Sequence, residues 1–433
     1  MRALSHLKSL TVVAVAASTL LLVAGCSAPT SADTGTPTGT GAPTGVTLTL
    51  WHSTTDSQAV LDLYSAYEQA SGNTLDLVDI PSDQFTTAVQ TKWATGDRPD
   101  ILEYQPTSQD MAQLNMSQNM IDLSDRPFVA AAGDLVKSAG SLDGKVYGAV
   151  LGPLQTNGLF YNKAALAKAN LQAPTNYDQL MTDCSALTGA GVTPLFIGGG
   201  SEFPVMMVNG FTYMADYNAN DAYGLAVKGG TTKVNDPGSP ITAGLQWLVD
   251  AGAKGCFNSD DSTATFQDAV AAVIAGTAAM TVLPSDFIQQ FYDGGGTDDT
   301  IGFSTISAHK GITNFGATVM GSYFLPSTGK ATQEAAAKGF IDWVTSDGYQ
   351  TYVNAGKFAP TLSTATAPQT TGLYANMNTM LADPNKTLGF NSSIPGFGNF
   401  GAISVNVLVG QATPQQGADQ FQTFIDQARL AQG

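Results

Sequence analysis

The sequence predicts an α/β fold, and three consecutive segments carry this prediction. Apolar residues alternate with threonines over 46–50, the two-residue period of a half-buried strand. Apolar residues then recur at i, i+3, i+4 and i+7 over 60–67, the period of an amphipathic helix, and residues 75–80 read as a second strand. The β-α-β order implies a parallel sheet with a crossover helix, whose ligands usually lie at the carboxyl ends of the strands.

Helical periodicity continues through the rest of the chain. It is clearest over residues 241–248, 337–344 and 421–428. No internal repeat and no β-rich pattern interrupts this alternation. The whole chain beyond residue 45 is therefore expected to be α/β.

Length and composition describe a globular protein. The 433 residues are 43% apolar and only 12% charged, unlike a disordered acidic tail or a coiled coil. The formal net charge of −17 argues against nucleic acid as a partner, because phosphate binding needs a basic surface. The chain has three histidines, His6, His52 and His309, and the first lies in a segment expected to be removed. A three-histidine metal site is excluded, and neither a metal nor a cofactor is predicted.

The N-terminus predicts export. Arg2 and Lys8 precede an apolar run over 10–24, too short to span a membrane comfortably, so residues 1–25 read as a signal peptide. The run ends in LVAGC, which resembles the bacterial lipobox, in which the cysteine is acylated and becomes the first mature residue. Cys26 is therefore the expected lipidation site, the alternative being an ordinary signal with an incidental cysteine. The protein is expected on the outer face of the cell membrane.

Residues 26–45 are expected to form a lipid-anchored flexible tether. The stretch from 27 to 44 repeats Thr, Gly, Pro and Ala and contains no large apolar residue that could enter a core.

Cys184 and Cys256 form an even pair in an oxidising compartment, which makes a disulfide one interpretation. The other is that Cys184 is a small buried residue, because it shares a helical face with Leu180 and Leu187.

Four sequence stretches resemble the extracellular solute-binding proteins of ABC importers, family 1. This family includes maltose-binding protein and many actinobacterial sugar-binding lipoproteins. The stretches are VTLTLWHS at 46–53, WATGDRPDILEY at 93–104, the segment 143–180 that contains DGKVYG and YNK, and FQDAVAAVIAGTAAMTVLPSDF at 266–287. They occur in the family's order and span much of the chain.

The resemblance implies a two-lobed periplasmic-binding-protein-like fold of type II. Each lobe would be a mostly parallel sheet flanked by helices, and the chain would cross between lobes three times. Lobe one is placed at 46–154 plus 318–362, and lobe two at 155–317 plus 363–433. The implied function is capture of a mono- or oligosaccharide in the interlobe cleft, by closure, and delivery to the permease subunits. The implied protein is a monomer without enzymatic activity, attached to the membrane through its lipid anchor only.

The candidate ligand residues combine polar side chains, which bond hydroxyls, with aromatic rings, which stack on sugar C–H faces. They follow from strand ends and from the resemblance. In lobe one they are Trp51, His52, Ser53, Glu103 and Tyr104. At the crossing they are Gln155, Thr156 and Asn157, and in lobe two Glu202, Phe203, Tyr213, Asp286 and Phe287. On the returning segment and near the C-terminus they are Thr318, Ser322, Tyr323 and Phe397.

Each candidate has a structural alternative. Trp51 ends an alternating strand and fits a core as well as a cleft, and Tyr104 can pack beneath the sheet. Glu103 and Glu202 can simply be exposed. The set 155–157 has the strongest basis, because three consecutive polar residues lie between two apolar runs.

Three other motifs are interpreted as loops or turns rather than as ligand-binding sites. The acidic pairs at 260–261 and 298–299 read as solvated loops without calcium-ligand spacing. The glycines at 198–200 read as a turn, and Asp143-Gly144 as a hairpin turn.

One departure from the family's pattern bears on the substrate. Family members often have Gly then Trp after Ala-Ala-Met, whereas this chain continues to Phe287, a smaller stacking face. This argues against a maltose-like ligand. Two other functional classes stay open: a secreted glycosidase, which needs two suitably spaced carboxylates, and a surface-adhesion lipoprotein.

Overall fold

The computed structural model describes residues 41–81, 85–106, 108–214, 222–309, 315–319, 321–383, 386–388 and 394–432. The predicted signal peptide, Cys26 and the tether up to residue 40 lie outside the described residues.

Strands and helices alternate along most of the described chain. The strands are β1 (Thr47–Ser53), β2 (Thr74–Ile80), β3 (Ile101–Tyr104), β4 (Ser141–Leu142), β5 (Lys145–Val146), β6 (Gly148–Val150), β7 (Leu154–Asn162), β8 (Thr193–Leu195), β9 (Ala278–Pro284), β10 (Ile301–Ser304), β11 (Phe315–Val319), β12 (Ser322–Phe324) and β13 (Lys386–Leu388). The helices are α1 (Gln58–Ser71), α2 (Phe85–Ala94), α3 (Ser108–Gln113), α4 (Met116–Asn119), α5 (Phe128–Ala132), α6 (Leu135–Ser138), α7 (Lys163–Lys168), α8 (Tyr177–Gly189), α9 (Phe203–Met206), α10 (Ala222–Lys228), α11 (Pro240–Ala253), α12 (Phe266–Ala275), α13 (Ile288–Asp293), α14 (Ala331–Val344), α15 (Tyr349–Gly356), α16 (Gly372–Ala382), α17 (Phe400–Leu408) and α18 (Pro414–Gln432). Short 3-10 turns cover Gly199–Ser201, Ser285–Phe287 and Phe397–Asn399, and a π-helical turn covers Met207–Thr212. The predicted β-α-β start is confirmed as β1, α1 and β2, and the three later helices as α11, α14 and α18.

Local sequence signals explain where several helices begin and end. Ser239 caps α11 by accepting a hydrogen bond from the Thr242 amide, and Pro240 occupies the first turn, where its missing N–H costs nothing. Thr265 and Asp268 form a reciprocal capping box at the start of α12.

The described strands form two larger sheets and one small hairpin. The first sheet has the order β2-β1-β3-β12-β6, and the second has the order β13-β11-β7-β9-β8, with β10 also paired to β7. The chain has the two-lobed α/β fold, and each sheet draws its strands from separate stretches of sequence. The hairpin is β4 and β5 around the predicted turn at Asp143-Gly144.

Both large sheets are mixed, which corrects the expectation of mostly parallel pairing. Strands β1, β2 and β3 pair in parallel, as the crossover helices require. Strand β12 returns antiparallel to β3 and β6, and β7 is antiparallel to β9, β10 and β11. The antiparallel pairs arise where the chain crosses between the sheets and comes back.

Both faces of the first sheet are covered along β1, so this strand has buried residues on both sides. Leu48 and Leu50 pack with residues of α1 and α14, whereas Trp51 packs on the opposite face with Trp93 of α2. A strand covered on both faces reads as a continuous apolar run rather than a clean alternation.

Helices α8, α11, α17 and α18 enclose a separate core beside the second sheet. Cys184 of α8 is fully buried there and is joined to Cys256 by a disulfide, with a Cα–Cα distance of 5.1 Å. Within the part of the chain that the structure describes, no helix is both long and apolar enough to cross a membrane.

Candidate functional site

Two neighbouring segments connect the sheets, and their backbones are bonded to each other. One runs from β6 to β7 and the other from β11 to β12; the Leu151 amide donates to the Gly321 carbonyl at 3.0 Å. A Cβ on Gly321 would lie 2.3 Å from the Gly152 carbonyl oxygen, so only glycine permits this approach. These contacts hold the two connecting segments side by side between the sheets.

Two tyrosines of helix α15 form hydrogen bonds with the segment between β6 and β7. The Tyr349 hydroxyl donates to the Leu151 carbonyl at 2.9 Å, and the Tyr352 hydroxyl donates to the Gly152 carbonyl at 3.1 Å. Tyr349 also accepts a hydrogen bond from the Thr361 amide, at 2.8 Å, where the chain leaves α15. The backbone that positions the candidate residues on β7 is therefore held from several sides.

Gln155, Asp286 and Thr318, all predicted, meet on the second sheet beside this connection. Gln155 of β7 pairs with Thr318 of β11, and its amide nitrogen donates to the two carboxylate oxygens of Asp286 at 3.1 and 3.2 Å. This orientation of the amide is assigned because the reverse would place its oxygen against the carboxylate. The amide oxygen then accepts from the Thr318 hydroxyl at 3.3 Å.

Asp286 is exposed to solvent although protein surrounds its carboxyl closely. Desolvation by the surrounding protein raises its pKa to about 6, partly offset by hydrogen bonds from the Asp286 and Phe287 amides. The carboxyl is therefore accessible to a ligand while its charged form is disfavoured by the surrounding protein.

Asn157 follows on the same face of β7 as Gln155, because side chains alternate along a strand. It is only 4% exposed, and its Oδ1 atom has no hydrogen-bond partner among the described residues. Thr156 points to the other face, is fully buried, and its amide donates to the Ser285 hydroxyl at 3.2 Å. Gln155 and Asn157 are thus the two residues of the predicted polar triplet placed toward Asp286.

Three phenylalanines form a partly exposed aromatic surface next to Asp286. Phe203 and Phe287 stack with centroids 5.9 Å apart, and Phe266 packs against them at 5.4 and 5.0 Å. The predictions included Phe203 and Phe287 but missed Phe266, which follows the cap of α12 and reads in the sequence as an ordinary core residue. An exposed ring surface of this kind suits stacking of sugar C–H faces.

Glu202 is exposed at the edge of the aromatic surface. It has a backbone φ of +56°, an uncommon conformation for a non-glycine residue. The preceding Gly199 lies so close to residues 261–262 that a Cβ would be 2.3 Å from the Asp261 carbonyl oxygen. The glycine-rich stretch at 198–200 therefore forms the predicted turn and brings Glu202 and Phe203 next to Phe266.

The first sheet contributes an acidic cluster at the ends of β1 and β3. His52 Nδ1 lies 2.9 Å from Asp56 Oδ2, and this hydrogen bond is the main reason that the pKa of His52 is raised. His52 Nε2 lies 3.0 Å from Asp79 Oδ1, without the alignment of a hydrogen bond. Burial, followed by the charge of neighbouring Asp56, raises the pKa of Glu103 well above its usual range.

Two buried tyrosines lie beneath this acidic cluster. The hydroxyls of Tyr64 and Tyr323 are 3.0 Å apart, and burial raises the pKa of both. Tyr323 and Ser322 of β12 pair with Glu103 and Tyr104 of β3. The hydroxyl of Ser322 is buried and has no partner among the described residues.

The predicted residues therefore separate into three groups. Those that reach solvent are Ser53, Glu103, Glu202, Phe203, Asp286 and Phe287. A second group has buried polar side chains at the strand ends or at the connection between the sheets. It comprises His52, Gln155, Thr156, Asn157, Thr318, Ser322 and Tyr323. Those that lie in packed cores are Trp51, Tyr104, Tyr213 and Phe397, which corrects their prediction as ligand residues.

The reason for each correction is packing on all sides of the ring. Trp51 and Tyr104 are 2% and 3% exposed, in the core between the first sheet and α2. Tyr213 packs edge-on against Tyr177, and Phe397 packs against Phe400 and Phe421. No ring face is left for a ligand in this arrangement.

A separate cavity of about 380 Å³ lies between α11, α17 and the start of α18. Its lining contains none of the predicted ligand residues. It is a different feature of the molecule from the candidate site.

Comparison with known proteins identifies the family. The family described as bacterial extracellular solute-binding protein matches residues 51–351, and the chain belongs to it. A curated relative from Escherichia coli K12, the putative ABC transporter periplasmic-binding protein YcjN, is 28% identical over 157 residues, which are 32% of this chain and 34% of that protein. The match thus spans about a third of the length of that relative.

Solved structures share the fold at low sequence identity. A chitin oligosaccharide binding protein has a TM-score of 0.76 at 19% identity, covering 89% of this chain and 99% of that one. A sugar transporter protein from Bacillus licheniformis, solved with stachyose, has a TM-score of 0.68 at 17% identity, covering 87% and 98%. The GacH receptor of Streptomyces glaucescens, studied with acarbose, has a TM-score of 0.68 at 16% identity, covering 89% and 99%.

Proposed function

We propose that this protein is the substrate-binding component of an ABC importer that captures a mono- or oligosaccharide between its two lobes. Lobe one comprises residues 46–154 and 318–362, and lobe two comprises residues 155–317 and 363–433. The protein acts as a monomer, without cofactor or enzymatic activity. It is attached to the outer face of the membrane by lipid on Cys26, and it delivers its ligand to the permease.

The observation that carries the proposal is the polar network of Gln155, Asp286 and Thr318 next to the aromatic surface of Phe203, Phe266 and Phe287. Planar polar groups beside exposed rings match the two faces of a sugar, its hydroxyls and its C–H patches. The network lies where the backbone connects the sheets, so movement of one lobe against the other would alter it. Family membership and the sugars that the similar solved proteins bind support the same conclusion.

The test is binding by titration calorimetry against a panel of maltotriose, raffinose, stachyose and chitotriose. Replacing Asn157 by Ala should weaken the best ligand by about 1 to 3 kcal/mol, the usual effect of losing a buried hydrogen-bond partner. Asn157 Oδ1 has no partner among the described residues, so the substitution breaks no described hydrogen bond to that atom. Asp260→Asn, at an exposed acidic loop, is the matched control and should leave affinity unchanged.

Hydrolysis of chromogenic glycosides should be measured on the same preparation. Turnover that disappears in Asp286→Asn would identify a glycosidase and would contradict the proposal. Absence of binding by a broad sugar library would contradict it as well.

A further inference from the structure

The candidate residues include carboxyl groups from both sheets, and among the described residues the basic side chain bonded to them is His52, 2.9 Å from Asp56. Glu103 lies beside the carboxyl of Asp56, and Asp286 is bonded by the Gln155 amide. Across the described ranges of the chain, no ion pair or hydrogen bond joins Glu103, Asp56 or Asp286 to a lysine or arginine. Among the described residues, carboxyl groups therefore outnumber the basic groups bonded to them.

The same set of residues includes a buried acceptor that lacks a donor. Asn157 Oδ1 is buried and has no hydrogen-bond partner among the described residues. A buried acceptor without a donor is unfavourable, so this atom favours a ligand that brings an O–H or N–H group to it. A ligand carboxylate or phosphate has only acceptors and would leave this atom unsatisfied at that position.

We infer that the site selects uncharged glycans and rejects acidic ones, such as uronates and sugar phosphates. The inference rests on the proposed function, because it assumes that a glycan binds at this site. It adds what neither the family match nor the similar structures state, a charge rule for the ligand.

Asp286 is the residue through which the preference for uncharged ligands can be measured. It is exposed, and its described polar partners are uncharged amides: the Gln155 side chain and the Asp286 and Phe287 backbone. A ligand carboxylate about 5 Å from it would be repelled strongly enough to weaken binding by about 100-fold, at the effective dielectric of a partly buried site.

The experiment compares matched ligands that differ by one charge. For each of maltotriose, raffinose, stachyose and chitotriose that binds, the derivatives oxidised to a carboxylate at each free primary hydroxyl group in turn are titrated by calorimetry. The expected result is that at least one derivative of each sugar binds about 100-fold more weakly than its parent, and that none binds more tightly. In Asp286→Asn, the ratio of the dissociation constant of the weakest acidic derivative to that of its parent sugar should fall at least tenfold.

Two controls separate this local effect from the overall charge of −17. Asp347→Asn removes an exposed carboxyl from the turn between α14 and α15 and should leave the ratio unchanged. Raising NaCl from 50 to 500 mM screens long-range repulsion, so a ratio that persists at high salt comes from contact with the site.

Acidic derivatives that all bind within threefold of their parents would overturn the charge rule and leave the proposed receptor function intact. A ratio unaffected by Asp286→Asn, or abolished equally by Asp347→Asn, would also overturn it. Failure of every neutral sugar to bind, alongside tight binding of an acidic one, would overturn the rule alone. Failure of all sugars would overturn the proposed function, and the rule with it.

Discussion

Replacing Asp286 by Asn should stabilise the protein at neutral pH but not at acidic pH. Desolvation raises the pKa of Asp286 from 3.8 to about 6, so the folded protein holds this proton more tightly than the unfolded chain does. The stabilisation from this carboxyl is complete below the unfolded pKa and is lost as the pH rises through about 6. Asn is uncharged at every pH and can still accept the Gln155 hydrogen bond, so it avoids that loss.

The size of the expected stability difference follows from the change in the pKa of Asp286 on folding. A change from 3.8 to about 6 corresponds to about 3 kcal/mol if it were felt in full. Asp286 is exposed to water, which screens the effect, and we therefore expect about 1 kcal/mol. The variant should match the natural protein at pH 4 and exceed its free energy of unfolding by about 1 kcal/mol at pH 7 and above.

Urea unfolding, followed by tryptophan fluorescence at unit steps from pH 4 to pH 8, measures this difference. Asp347→Asn controls for the removal of one negative charge from an acidic protein, and its difference should show no step near pH 6. Two results would refute the claim that desolvation raises the pKa of Asp286. One is an Asp286→Asn variant less stable than the natural protein at pH 8, and the other is a stability difference that is the same at pH 4 and pH 7.

Three further predictions address the disulfide, the anchor and closure. Reducing the Cys184–Cys256 bond, which closes a loop with a sequence separation of 72, should lower the free energy of unfolding by up to about 4 kcal/mol by loop-closure entropy. Denaturant titration with and without reductant measures this, and thiol labelling of both residues in the native, unreduced protein would show that no bond forms. Cys26→Ser should give a folded protein that is released from membranes, because the tether has no apolar anchor of its own; incorporation of labelled lipid into this variant would refute the assignment. Saturating sugar should shift the population toward a closed form, which small-angle scattering would detect as a smaller radius of gyration, whereas an unchanged radius at saturation would exclude closure even if binding occurs.

Local periodicity was enough to predict the elements at the start of the fold. The apolar spacing over 60–67 matches α1 because that helix buries one face, and Leu63, Tyr64 and Tyr67 all lie on it. The turn at Asp143-Gly144 was predictable for a similar reason, since two residues of that type suffice to set a hairpin.

Periodicity failed where an element is buried on every side. Strand β1 has apolar neighbours on both faces, so alternation could not show that Trp51 faces the α2 core rather than the cleft. Phe266 was missed for the opposite reason. It begins an amphipathic helix, and nothing in its local sequence reports that Phe203 and Phe287 leave its ring partly exposed.

The sequence by itself determined the α/β class and the polar triplet at 155–157, because each depends on residues close together in the chain or on composition. It left two interpretations of Cys184 open, and the tertiary structure decided for the disulfide with Cys256. Only the tertiary structure decided that Gln155 bonds Asp286 and Thr318, and that Asn157 Oδ1, on the same face, has no partner among the described residues. These contacts join β7 to the end of β9 and to β11, which are distant in the chain. They depend on how the strands align across the sheet, and no local pattern of residues encodes that register.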